Sequence, residues 1–258
     1  MRNIIYSFIL TLLIISCGNS SKRENDQKNI NGLTFGTTEY ERKFHNADIP
    51  DTELTASIPI AEGNSSAAEN INNKIFETLK FFIAQEGDES SNYDELFDGF
   101  VRNYENFLIN YPDYHVPWEA IVKGTVEYNS PEIINIRIEL YTFTGGAHGN
   151  SYVNSLLFDP VTGKEFNIND VIKDINSLTR LAEKKFREKY NIPENGSINL
   201  TGLMFENDEF TLPHNLFFTK DGLLLFYNTY EIAPYVDGTK EILIPYDEFK
   251  NNLIIKIN

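Results

Sequence analysis

Histidine is the side chain best suited to metal or acid–base chemistry near neutral pH. The four in this chain, His45, His115, His148 and His214, stand far apart, with none three or four positions from another. No helix can therefore offer two imidazoles to one metal ion. The sequence contains no HExxH, no phosphate-binding loop, no GxSxG elbow and no calcium loop of spaced aspartates, the patterns that commit a chain to metal, nucleotide or serine chemistry. Lys220-Asp221-Gly222 lacks the paired aspartates of an acidic metal motif and reads as a hairpin turn. We assign no catalytic residue, metal or cofactor from sequence. An enzyme acting on peptidoglycan or another glycan would need dispersed acids, Glu231, Asp237 and Glu241, brought by the fold to His148 or His214. Nothing in their spacing favours that arrangement.

Two segments point instead to binding. Thr144-Gly145-Gly146-Ala147-His148-Gly149-Asn150 carries three glycines, which permit positive φ and close backbone approach, as at a tight crossing or a ligand contact. His148 there is either a structural pin, bonding neighbouring carbonyls, or a ligand-contacting group. Tyr227-Asn228-Thr229-Tyr230-Glu231-Ile232-Ala233-Pro234-Tyr235 places three tyrosines in a loop. Tyrosine combines a large contact area with one polar tip and little entropy to lose, which suits a recognition surface, although such rings can also cap a core. The candidate binding residues are Tyr230, Pro234 and Tyr235, supported by Gly145, Gly146, His148 and Gly149.

The elements that position these loops follow from periodicity. Leu54, Ala56, Ile58 and Ile60 alternate with polar neighbours as a half-buried strand, and Pro59 suggests an edge; a weaker strand precedes it near Glu39 to His45. Ser66 and Glu69 have capping-box spacing ahead of Ile71, Ile75, Leu79 and Phe82 on one helical face. A second helix opens between Ser91 and Asp94 and stops before Pro112. Strands follow at Trp118 to Tyr128, Ile134 to Leu140 and Tyr152 to Phe158, then a turn at Asp159 to Gly163. A helix covers Ser177 to Tyr190, and the tail returns to strands at Leu216 to Thr219, Leu223 to Tyr227, Ile242 to Tyr246 and near Ile254. Strand clusters separated by paired helices predict an α+β fold with mainly antiparallel sheets and packed helices, two similar-sized subregions in one compact body.

The first sixteen residues, a short cationic start and the apolar run Ile4 to Ile15, read as a secretory signal, too short to span a bilayer comfortably. Ile14-Ile15-Ser16-Cys17 has the aliphatic, small, Cys order of a bacterial lipobox, and Cys17 is the only cysteine. Cleavage and acylation at Cys17 would leave residues 17–32 as a polar tether and place the chain in the bacterial cell envelope, periplasmic or cell-surface, held by its lipid. The formal charge of −16 becomes one unit more negative once Arg2 leaves with the signal. That field argues against nucleic acid as a partner and allows a basic protein.

Three motifs stand in order: Thr144 to Gly149, Asp159-Pro160-Val161-Thr162-Gly163-Lys164, and Phe217 through Tyr246 with Asp221-Gly222-Leu223 and Tyr230 to Tyr235. Together they resemble the paired domains of unknown function outside the membrane in RsiV-type anti-sigma factors and ahead of the catalytic domain in PdaC-type peptidoglycan deacetylases. The resemblance implies a PdaC-like α+β domain over 33–158 and an RsiV-like one over 159–258. RsiV-type regions bind lysozyme directly, whereas PdaC-type enzymes keep their deacetylase chemistry in a separate domain that has no counterpart in this sequence. The resemblance thus implies a non-enzymatic envelope lipoprotein that recognises a lysozyme-like wall-degrading protein or a peptidoglycan fragment. The alternatives are a glycan-acting hydrolase or deacetylase and a structural assembly role.

Overall fold

A computed structural model describes residues 33–46 and 49–257. Cys17, the signal at 1–16 and the tether at 17–32 lie outside the described residues. The chain folds as β1 (Phe35–Asn46), β2 (Ile49–Ala61), α1 (Ser66–Ile83), α2 (Tyr93–Asn110), β3 (Glu119–Asn129), β4 (Ile134–Phe143) and β5 (Asn150–Phe158). It continues as α3 (Ile168–Val171), α4 (Ile175–Tyr190), β6 (Asn215–Phe218), β7 (Leu223–Tyr227), β8 (Lys240–Ile244) and α5 (Tyr246–Phe249). The fold is α+β and mainly antiparallel, with one five-stranded sheet in the order β1-β2-β3-β4-β5 and one three-stranded sheet in the order β6-β7-β8.

Among the described residues the single parallel pairing, β2 with β3, needs a long crossover, and α1 and α2 supply it. Their apolar faces, Ile71, Ile75 and Leu79 from α1 and Leu96, Phe97, Phe100 and Tyr104 from α2, fill the first core against Leu54, Ala56, Ile58, Ala120 and Val122. In the second core α4 lays Leu178, Ala182 and Phe186 against Leu223, Leu225 and Tyr227 of β7 and Ile242 and Ile244 of β8.

Several local expectations shift. Ser65, not Ser66, caps α1, its side chain accepting from the Ala68 N–H at 3.2 Å. α4 starts two residues earlier than its apolar stripe, because Asp174 takes the N-cap and accepts from the Ser177 N–H. No strand forms at Ile254: Leu253 makes an isolated bridge to Ile172, and the Ile254 N–H donates to Val171. β2 is also no edge strand. Pro59 is tolerated because the ladder to β3 ends at Ser57 and Lys123, so β2 is locally unpaired on that side.

Buried asparagines join the halves. β5 would otherwise leave a sheet edge with unsatisfied backbone groups. Asn215 accepts from the Ser155 N–H and donates to the Val153 carbonyl, both at 2.8 Å. Asn228 accepts from the Val153 N–H at 2.8 Å and donates to the same residue's carbonyl at 2.9 Å. Asn135 on β4 donates to Ser155 Oγ and to the Leu156 carbonyl, and accepts from the Phe218 N–H at 2.8 Å. Beside them the Arg137 guanidinium lies 3.8 Å from the Phe217 ring centroid and pairs with Glu127 at 3.0 Å.

The cores also predict alkaline behaviour. Burial raises the hydroxyl pKa of Tyr93, Tyr227 and Tyr246 above the ordinary 10.0. The unfolded chain loses these protons first, so stability is full below about pH 10 and falls as pH rises toward the folded values. The urea midpoint should hold level and then drop above that point, with the last part of the tyrosinate absorbance, that of the buried rings, appearing together with unfolding. Ionisation of these rings well before unfolding would contradict the burial effect.

Candidate functional site

The glycine-histidine loop joins β4 to β5. Gly145 and Gly146 have φ of 101° and 97°, which a side chain would make strained. A Cβ on Gly145 would lie 2.2 Å from Tyr114 Oη, and one on Gly149 would lie 2.4 Å from the Tyr141 ring. The glycines thus let the loop close onto two tyrosines and turn His148 outward, where it is exposed. His148 Nδ1 is 2.9 Å from the Gly149 carbonyl, which can only accept, so this nitrogen donates and holds the ring against its own loop.

The tyrosine loop leaves β7 after Tyr227. Asn228 fixes its start to β5 by the bonds described above. Glu231 spends its carboxylate on backbone amides, accepting from Asn228 at 2.8 Å and from His214 at 3.2 Å. Tyr230 between them has φ 66°, left-handed backbone that costs a non-glycine residue on the order of 1 kcal/mol. Ile232 and Ala233 turn into the second core, and Pro234 leads into the 3-10 turn Tyr235–Asp237.

The two loops meet through their aromatic rings. Tyr235 stacks on His148 with centroids 4.1 Å apart and planes 15° apart, and Tyr230 lies 5.6 Å from Tyr235. Tyr230 Oη reaches 3.4 Å from His148 Nε2. The structure therefore brings together His148, Tyr230 and Tyr235 from opposite halves of the chain. Gly145, Gly146 and Gly149 shape the histidine loop, and Pro234 directs the turn that carries Tyr235. Tyr230 is 57% exposed, a large fraction for a ring held by so many anchored neighbours.

Other exposed apolar groups on nearby segments escaped the sequence reading. Val236, 88% exposed, follows Tyr235 in its turn. Met204, 49% exposed, is tied to the tyrosine loop by its N–H donating to the Ile232 carbonyl at 2.8 Å. On the first half, Phe82 packs against Tyr152 with ring centroids 4.4 Å apart and planes tilted by 39°, leaving its neighbour Phe81 outside. The adjacent Phe81-Phe82 pair was the available signal, because two successive helical positions cannot both face one core.

Two acids of the enzymatic alternative are engaged elsewhere, and the third, Asp237, lies in the turn that carries Tyr235. Glu231 serves the backbone, and Glu241 lies 3.8 Å from Lys189 across the α4–β8 contact. His214 meets Glu231 through its backbone amide. Among the described residues no group of three His, Cys, Asp or Glu side chains could hold a metal ion. Among them, too, no helix is long and apolar enough to cross a membrane.

Residues 47–151 match the family described as Deacetylase PdaC, and residues 166–247 match the family described as Protein of unknown function (DUF3298). His148 falls within the first match, and Tyr230 and Tyr235 within the second. The chain is similar in fold to a crystal structure of a DUF3298 family member from Bacteroides fragilis, with a TM-score of 0.69 at 19% identity, covering 88% of this chain and 95% of that one. A DUF3298 family protein from Pseudomonas aeruginosa has a TM-score of 0.59 at 17% identity, with the same 88% and 95% coverage. No protein with curated annotation matches the chain.

Proposed function

We propose that the chain is a non-enzymatic binding module of the bacterial cell envelope, anchored through Cys17, whose His148–Tyr230–Tyr235 surface recognises a lysozyme-like wall-degrading protein. The observation that carries the reading is the exposed ring stack itself. Its members come from two loops whose backbones are fixed by glycine turns and buried asparagines, so little ordering entropy is lost on binding. Aromatic anchors held in this way are the usual centres of binding energy. The match to a family described as a deacetylase, in the half that carries His148, fits a place outside the cytoplasm near the cell wall. A formal charge of −16 would steer a basic partner, speeding association more than deepening affinity.

Calorimetric titration of the soluble chain from Gly18 onward with lysozyme, at low and at high salt, tests the proposal. We expect a saturable one-site isotherm of about −8 kcal/mol or better, near micromolar, that survives added salt. An absence of heat at low salt would remove lysozyme as the ligand, and heat abolished by salt would show that charge alone brings the two together, which would remove the aromatic surface as its recognition site.

A further inference from the structure

Where β2 and β3 separate, the sheet opens into a polar cleft of about 420 Å³ that plays no part in the aromatic surface. Its origin lies in one missing hydrogen. The Glu53 N–H donates to the Trp118 carbonyl at 3.1 Å, which sets the parity of the parallel ladder. Residues 53, 55 and 57 of β2 then face β3, and the last register pair is Ser57 with Lys123. The next donor in that parity is residue 59, which is proline and has no N–H. The Gly124 carbonyl is thereby left without its ladder partner. Gly124 in turn makes room for the proline ring, since a Cβ there would lie 2.2 Å from Pro59 Cδ. Beyond this contact β2 continues with β1 and β3 continues with β4, so the two strands diverge.

We infer that this cleft is a binding site for an uncharged, hydroxyl-rich saccharide segment. The side chains around it are Thr37, Ser57, Thr125 and Asn129, with one acid, Glu39, and one base, Lys123, so donors and acceptors mix without net charge. Glu39 accepts from Ser57 Oγ at 2.9 Å, and Lys123 is 3.6 Å from Glu139, so no lone cation stands in the cleft to select an anion. An inserted peptide strand would need about 4.8 Å of clearance to each neighbour, and the contact of Pro59 with Gly124 closes the cleft's inner end. Hydroxyl groups can reach the free carbonyl of Gly124 from the open side, and the Pro59 ring and Val126 provide a small apolar floor. The inference stands on residues of the first half alone and does not depend on the lysozyme reading.

The test is titration of the full soluble chain with a tetramer of N-acetylglucosamine, followed by amide NMR shifts, with maltotetraose and an extended tetrapeptide as comparison probes. We expect saccharide-dependent shifts at Gly124, Thr125 and Ser57. Pro59→Thr restores an N–H that can donate to Gly124 and close the cleft, and should weaken saccharide binding at least tenfold. Its new amide should be protected from exchange. Thr125→Arg, on the exposed face, should block binding without touching the ladder, whereas Tyr230→Ala should leave it unchanged. No shifts with either saccharide, shifts with the peptide alone, or undiminished binding in both cleft variants would overturn the assignment.

Discussion

Replacing Asn135 by alanine should lower the free energy of unfolding by about 4 kcal/mol, much of the margin of a typical domain. The side chain is fully buried and makes three hydrogen bonds, to Ser155 Oγ, to the Leu156 carbonyl and from the Phe218 N–H. Alanine leaves the amide of Phe218 and the freed acceptors of β5 in an apolar interior, and each orphaned group there costs roughly 1–3 kcal/mol. Asn135→Leu should do no better, since filling the space does not return the partners. Asn135→Asp keeps the acceptor but loses the donor and buries a charge, so it should be at least as damaging. Urea unfolding followed by circular dichroism reads the loss directly. A change under about 1 kcal/mol would mean that apolar packing between the sheets, not the asparagine bonds, holds the halves together.

This junction also marks where sequence reading stopped. Alternation at Ala120 and Val122, and the helical stripes at Ile71, Ile75 and Leu79, were legible because one face of each element meets one core. The start of β4 defied that pattern, since Ile134, Asn135 and Ile136 are all buried. Its two faces meet two different cores, and nothing in one strand announces a second sheet. Asn215 and Asn228 look like ordinary turn residues in sequence, yet their side chains complete a strand edge lying sixty or more positions away. Pro59 was read as the mark of an edge strand; that it instead breaks the pairing of an interior strand depended on Gly124, which no local window contains. The glycine and tyrosine loops could be named from composition. That they touch depended on the register of β4 with β5 and on how the second sheet docks, both long-range facts.

Removing the ring of Tyr235 should cost lysozyme binding about 2–3 kcal/mol, roughly 30- to 150-fold in Kd, with folding intact. Its stacking on His148 supplies a preformed face, and Tyr235→Ala removes both its own contact area and the support that orients the imidazole. Tyr230 gives the sharper experiment, because its φ of 66° separates binding from stability. Tyr230→Gly relieves the left-handed strain while losing the ring, and the added freedom of glycine offsets part of that gain. The variant should therefore melt no lower than the parent while binding at least tenfold more weakly. His148→Phe keeps a flat ring against Tyr235 but lacks Nδ1, which now bonds the Gly149 carbonyl, and Nε2, which faces Tyr230. Retained affinity in His148→Phe with loss in Tyr235→Ala would identify stacking as the useful property, and loss in both would identify the imidazole. Unchanged affinity in Tyr230→Gly and Tyr235→Ala together would show that the partner docks elsewhere and would end the case for this surface.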